Sequence, residues 1–107
     1  MTYVIDIDGT ICSKVDNGDY SLSKPFNDRI EKINQLFDSG HTIIYFTARG
    51  MGRTMGDPDR SKELFYDLTK KQLKKWGVRY NQLILGKPSG DIYVDDKGIK
   101  DVDFFAN

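Results

Sequence analysis

Residues 3–12 read YVIDIDGTIC, and this stretch sets the fold. Residues 2–7 are rich in β-branched and aromatic side chains, which predicts a short strand. The strand ends in Asp6 and Asp8, followed by Gly9 and Thr10. Side chains two apart on a strand point to the same side, so both carboxylates can act on one bound group. Two such charges repel each other, and burial raises the cost of keeping them ionised. A metal ion, a proton or both must compensate. Gly9 permits a sharp turn that lets backbone N–H groups face an anion.

Working outward, residues 24–40 (KPFNDRIEKINQLFDSG) predict a helix, with Pro25 in its first turn and Phe26, Ile30, Ile33 and Phe37 at helical spacing. Residues 43–46 form a second apolar run too short for a helix. Residues 50–59 are polar and Gly-rich. A second helix is expected over residues 60–77, with Leu64, Phe65, Leu68, Leu73 and Trp76 as its apolar positions. QLIL (82–85) reads as a third strand and DIYVDD (91–96) as a fourth, with Val102, Phe104 or Phe105 of the tail packing back on the sheet. Alternating strands and helices with continuous apolar strands predict an α/β fold, a parallel sheet flanked by helices and covered on both faces. Ligands of such sheets bind beyond the carboxyl ends of the strands.

The 107 residues suffice for one domain, 1–107. Sixteen basic and sixteen acidic residues cancel, so nothing attracts nucleic acid or anionic membranes in general. One Cys excludes an internal disulfide, and one Cys with one His excludes a Cys/His zinc pattern. With no signal-like or long apolar segment, a cytoplasmic setting away from membranes is the expectation.

Each expected strand ends in a polar signal. The first carries Asp6 and Asp8, the second Thr47, the third is followed by Lys87, and the fourth carries Asp95 and Asp96. On a parallel sheet these ends converge. Phosphoryl transfer has a use for all of them. Mg²⁺ suits one or two carboxylates plus water and substrate phosphate, with Asp95 or Asp96 as the second protein ligand beside Asp6 and Asp8. Lys87, the Thr47 hydroxyl and loop N–H groups would hold phosphate oxygens, with Gly9, Thr10 and Ala48 in that set. Asp6 could attack phosphorus and form an aspartyl-phosphate. Asp8 could carry the proton that the leaving alkoxide needs.

DIDGT, FTAR, Lys87 and VDD together resemble the four motifs of the haloacid dehalogenase (HAD) superfamily of phosphohydrolases, from Asp6 to Asp96. The resemblance implies a Rossmann-like core with Asp6 as nucleophile and Asp8 as acid/base. It also implies Mg²⁺ on Asp6, the Asp8 carbonyl and Asp95 or Asp96. GHTIIYFTARG, WGVRYNQLILGKPSGDIYVDDKG and DVDFF look, more narrowly, like small phosphatases assigned to capsule or lipopolysaccharide biosynthesis. That implies a sugar or polyol phosphate as the small-molecule phosphate ester. Residues 11–24 and 86–90 are too short for a cap domain, so the site is expected to be open or covered by a second subunit. A nucleic-acid 3′-end phosphatase and a non-catalytic Mg²⁺/phosphate-binding module are the alternative functions.

Arg49, Arg53 and Arg60 flank the Gly-rich stretch and are candidate substrate ligands on a mobile loop. The loop at residues 12–20 is a candidate flap lined by Tyr20. His41, at the amino end of its strand, reads as structural. Cys12 reads as a packing residue, and Lys70, Lys71, Lys74 and Lys75 read as a solvated face.

Overall fold

Strand β1 (Thr2–Ile5) runs parallel to β2 (Thr42–Thr47), pairing Thr2 with Thr42 through Ile5 with Tyr45. Strand β2 pairs with β3 (Gln82–Leu85), also parallel, from Ile44 with Gln82 to Thr47 with Leu85. The sheet order is β1-β2-β3. A computed structural model describes residues 1–16 and 18–106 of the chain. Asn17 of the candidate flap and the terminal Asn107 lie outside the described residues.

Two helices make the crossovers, α1 (Asn27–Asp38) and α2 (Pro58–Lys75). Asp57 caps α2, accepting from the Asp59 and Arg60 N–H groups, and Pro58 fills the first turn, where no N–H is needed. Helix α1 starts at Asn27 and not at Pro25, because Pro25 is bridged to Cys12 and the Phe26 N–H donates to the Ile11 carbonyl at 2.8 Å. Both helices end as expected, with His41 N–H reaching back to Leu36 O and Val78 N–H to Leu73 O.

Register decides which face is buried. Tyr3, Ile5, Ile43, Tyr45, Thr47, Leu83 and Leu85 share one side of the sheet. Ile30 and Ile33 of α1 and Phe65 and Leu73 of α2 pack there, with Ile7 and Ile11 closing the core. Successive crossovers of one hand in the order β1-β2-β3 fall on the same face. The other face carries Val4, Ile44, Phe46 and Ile84. Val4 is 62% and Ile84 42% exposed. The expectation of cover on both faces is therefore met on one face only.

The fourth expected strand does not form. Residues 91–96 have no ladder partner among the described residues, and Ile92 and Val94 are 81% and 91% exposed. Five residues separate β3 from Asp91. A parallel return to the other edge of the sheet needs a dozen or more. The chain then closes on a short helix, α3 (Asp101–Phe104), held by an Arg29–Asp101 pair at 2.8 Å and by Phe104 against the Tyr3 ring. Phe104 and Phe105 pack on the core as expected, while Val102 stays exposed. No helix among the described residues is long and apolar enough to cross a membrane.

Candidate active site

Asp6 follows the last residue of β1, at the carboxyl edge of the sheet. Thr10 Oγ1 donates to Asp6 Oδ2 at 3.3 Å, and Lys87 Nζ stands 3.8 Å from Oδ1. Lys87 is carried there by β3. Its backbone N–H donates to the Thr47 carbonyl at 3.1 Å, extending the β2–β3 ladder beyond the strand. Burial pushes the Asp6 carboxyl above the ordinary carboxylate range, and the nearby Asp8 charge adds to this. Lys87 opposes the shift, as do hydrogen bonds from the Ile7 N–H and the Thr10 hydroxyl.

Asp8 is held differently. Arg49 Nε donates to its Oδ2 and Arg49 Nη2 to its Oδ1, both at 2.9 Å. The Cys12 thiol lies 3.5 Å from Oδ1. Burial pushes that thiol up to about 12, in keeping with Cys12 as a buried packing residue. Arg49 is wholly buried, its Nη1 donating to Thr69 Oγ1 at 3.2 Å and to Gln72 Oε1 at 2.7 Å. Its guanidinium lies 4.7 Å from the centre of the Tyr20 ring.

Arg49 is thus an internal tie and not a mobile substrate ligand. Arg53 is exposed on the turn, over the Phe65 ring, and Arg60 pairs with Glu63 on the outer face of α2. The Gly-rich stretch is itself folded. Met51 is buried and Thr54 is bonded to Ser61. The partners that anchor Arg49, Thr69 and Gln72, escape a sequence reading focused on strand ends. Their signal is faint, two polar residues three apart on a helix face that also buries Ser61, Phe65 and Leu73.

The turn after β1 also differs from expectation. Gly9 has φ +83°, a left-handed backbone that side chains rarely adopt, which explains the glycine. The Gly9 and Thr10 N–H groups are engaged internally, by the carbonyls of Cys12 and Ile7. Thr10 contributes its hydroxyl to Asp6 instead. Thr47 is buried, with Oγ1 accepting the Arg49 N–H at 3.1 Å, and Ala48 follows it half-buried. Tyr20 reaches the same edge, its hydroxyl accepting the Gly50 N–H at 2.9 Å. His41 lies at the amino end of β2, 3.0 Å from the terminal amine and edge-on to Tyr3.

Asp95 and Asp96 are not part of this cluster. Asp95 is exposed, and its Oδ1 accepts the Lys97 and Gly98 N–H groups at 2.6 Å. Among the described residues no group of three or more His, Cys, Asp or Glu side chains could hold a metal ion. A groove of about 540 Å³ is lined by Met51, Met55, Pro58, Gly86, Pro88 and Ser89 among others, and by none of Asp6, Asp8, Thr47 and Lys87. Tyr93 stacks 4.4 Å from Lys87 Nζ, and its hydroxyl donates to the Pro88 carbonyl.

No protein-family model and no curated protein matches this chain. A crystal structure of a target protein from Vibrio cholerae is similar to it, with a TM-score of 0.89 and 26% sequence identity. The likeness covers 99% of this chain and 89% of that one. That protein carries no functional name.

Proposed function

We propose that the chain is a phosphomonoesterase of the HAD type, acting through an aspartyl-phosphate on Asp6. The observation that carries this reading is the pairing of a half-buried carboxylate with Lys87 at 3.8 Å, beyond the carboxyl ends of β1 and β3 on one parallel sheet. A surface turn would have no reason to hold a lysine against a desolvated aspartate. A phosphoryl group would bridge them, its oxygens drawn to the ammonium while phosphorus faces the carboxylate.

Chemically, an Asp6 oxygen attacks phosphorus in line, and the bond from phosphorus to the alcohol oxygen breaks. The leaving alkoxide takes a proton from Asp8. Water then attacks the phospho-enzyme, releasing inorganic phosphate and restoring the Asp6 carboxylate, and its proton passes to Asp8. A carboxylate has about four acceptor sites. Arg49 fills two and the Cys12 thiol a third, which leaves the outer lone pair of Oδ2 to carry the travelling proton. Arg49 fixes where that lone pair points.

The family resemblance implies Mg²⁺. Within one chain the donor set is incomplete: Asp6 is available, Asp8 is engaged by Arg49, and Asp95 and Asp96 stand elsewhere. No step is assigned to the metal on these residues. The even balance of sixteen basic and sixteen acidic residues disfavours a polyanionic nucleic-acid substrate and favours a small metabolite such as a sugar or polyol phosphate.

The test is phosphate release from a panel of sugar phosphates, polyol phosphates, nucleotides and 3′-phosphorylated oligonucleotides, with Asp6→Asn as the blank. Release that disappears in the variant supports the reading. Release that persists in Asp6→Asn overturns the assignment of the nucleophile.

A further inference from the structure

Three features lack a counterpart among the described residues. Strand β1 is an edge strand whose outer side has no partner among the described residues. Residues 91–96, strand-forming by composition, leave Ile92 and Val94 exposed and touch the rest of the site only through Tyr93, which rests on Lys87 and Pro88. The candidate site lacks the acidic residue that this segment carries.

The segment cannot meet its own β1 edge in parallel. Lys87 is bonded through its N–H to the Thr47 carbonyl, so four residue steps separate a fixed point from Asp91. Fully extended, four steps reach about 14 Å. The free edge of β1 lies three strand spacings away, about 14 Å sideways, and entering from the amino end adds a descent of about 10 Å. The straight-line distance is then about 17 Å, before any detour around the sheet. An antiparallel return would fit the loop but would carry Asp95 and Asp96 toward the amino end of β1, away from Asp6.

We infer that residues 91–96 add to the free edge of β1 in a second copy of this chain, as a fourth parallel strand, reciprocally in a two-fold dimer. The occupant is a second copy because the unpaired edge and the unpaired segment belong to the same sequence, and the connection length excludes a parallel pairing with the chain's own β1. Reciprocal exchange of an element is a low-cost route to a dimer. Both ends of the segment stay anchored at home, at Lys87 and at the Arg29–Asp101 pair, leaving residues 88–100 to reach out and return. With Asp95 level with Asp6, Tyr93 stands beside Val4. Ile92 and Val94 fall on the side of Tyr3 and Ile5, where the core continues. Asp95 then joins Asp6 as an oxygen ligand, which gives Mg²⁺ the second carboxylate that a single chain does not offer. Only this last role rests on the phosphatase reading; the exchange does not.

The first test is mass in solution. Light scattering on the full chain is expected to give twice its 12.3 kDa. A monomer at concentrations well above those of an assay overturns the exchange. The second test is a Val4→Cys/Tyr93→Cys chain, oxidised and run on a non-reducing gel. The native Cys12 is buried and stays out of that chemistry. A covalent dimer is expected, since neighbouring strands place such a pair within disulfide reach. An intramolecular bond, or none, overturns the proposal. The third test refolds an Asp6→Asn chain together with an Asp95→Ala/Asp96→Ala chain. Each alone is expected to be near inactive, and the mixture is expected to recover about a quarter of wild-type turnover, because half of random dimers are mixed and one of their two sites is whole. No recovery overturns the sharing of the site. If wild type itself releases no phosphate, the phosphatase reading fails while the covalent dimer still decides the exchange.

Discussion

Arg49 grips both oxygens of Asp8 at 2.9 Å while its own side chain is fully buried. Three elements meet in that pair: the turn after β1, the end of β2, and α2 through Thr69 and Gln72. The pair locks the acid/base candidate to the scaffold and ties the three elements together. Arg49→Met leaves Asp8 beside an apolar side chain and removes the partner of two polar groups on α2. The expected loss is about 3 kcal/mol, the scale of a broken buried pair. Urea unfolding measures it. Arg49→Lys is expected to rescue little, because a point charge cannot reproduce the fork. A loss below about 0.5 kcal/mol, typical of a neutral surface change, would show the pair to be incidental.

Asp6 sits where its charge is disfavoured. Its carboxyl is held above the ordinary range chiefly by burial. A raised carboxylate pKa means the folded state is favoured by protonation, and that contribution is lost as pH rises through the folded value. Asp6→Asn removes the charge. The variant is expected to melt a few degrees higher than wild type at neutral pH while losing turnover. The gap is expected to close as pH falls below the raised value. A gap that is constant with pH would refute the assignment, and a calorimetric series across pH reads it directly.

Lys87 lowers the Asp6 carboxyl against the effect of burial. Lys87→Ala is therefore expected to do two things. Turnover falls about 100-fold, as when one stabilising donor is removed from a developing charge. The acidic limb of kcat/KM against pH moves to higher pH, because the nucleophile needs a more alkaline solution to ionise. A loss of rate with an unmoved limb would separate Lys87 from Asp6.

Gly50 adopts φ +80°, and a Cβ there would stand 2.5 Å from the Phe65 ring. The turn after β2 therefore presses directly on α2. Gly50→Ala combines the left-handed backbone cost with a displaced ring, for an expected loss of about 2 kcal/mol or more. Thermal unfolding checks it, and an unchanged Tm would mean the turn is free to relax.

Local chemistry made much of this molecule legible in the sequence. The apolar run ending in Asp6 and Asp8, the helix stop signals and QLIL each act through neighbours in the chain, so strands, helices and the parallel sheet follow from them. So does the approach of Lys87 to Asp6, because both lie at carboxyl ends of parallel strands. Three matters depended on the tertiary structure. The fate of Arg49 turned on Thr69 and Gln72, which come from a distant helix and meet it only when α2 packs. The bare second face followed from strand order, since successive crossovers of one hand cover one side. Residues 91–96 have the composition of a strand, but a parallel fourth strand would have to lie on the far edge of the sheet, at β1, and a five-residue connection from β3 does not reach it.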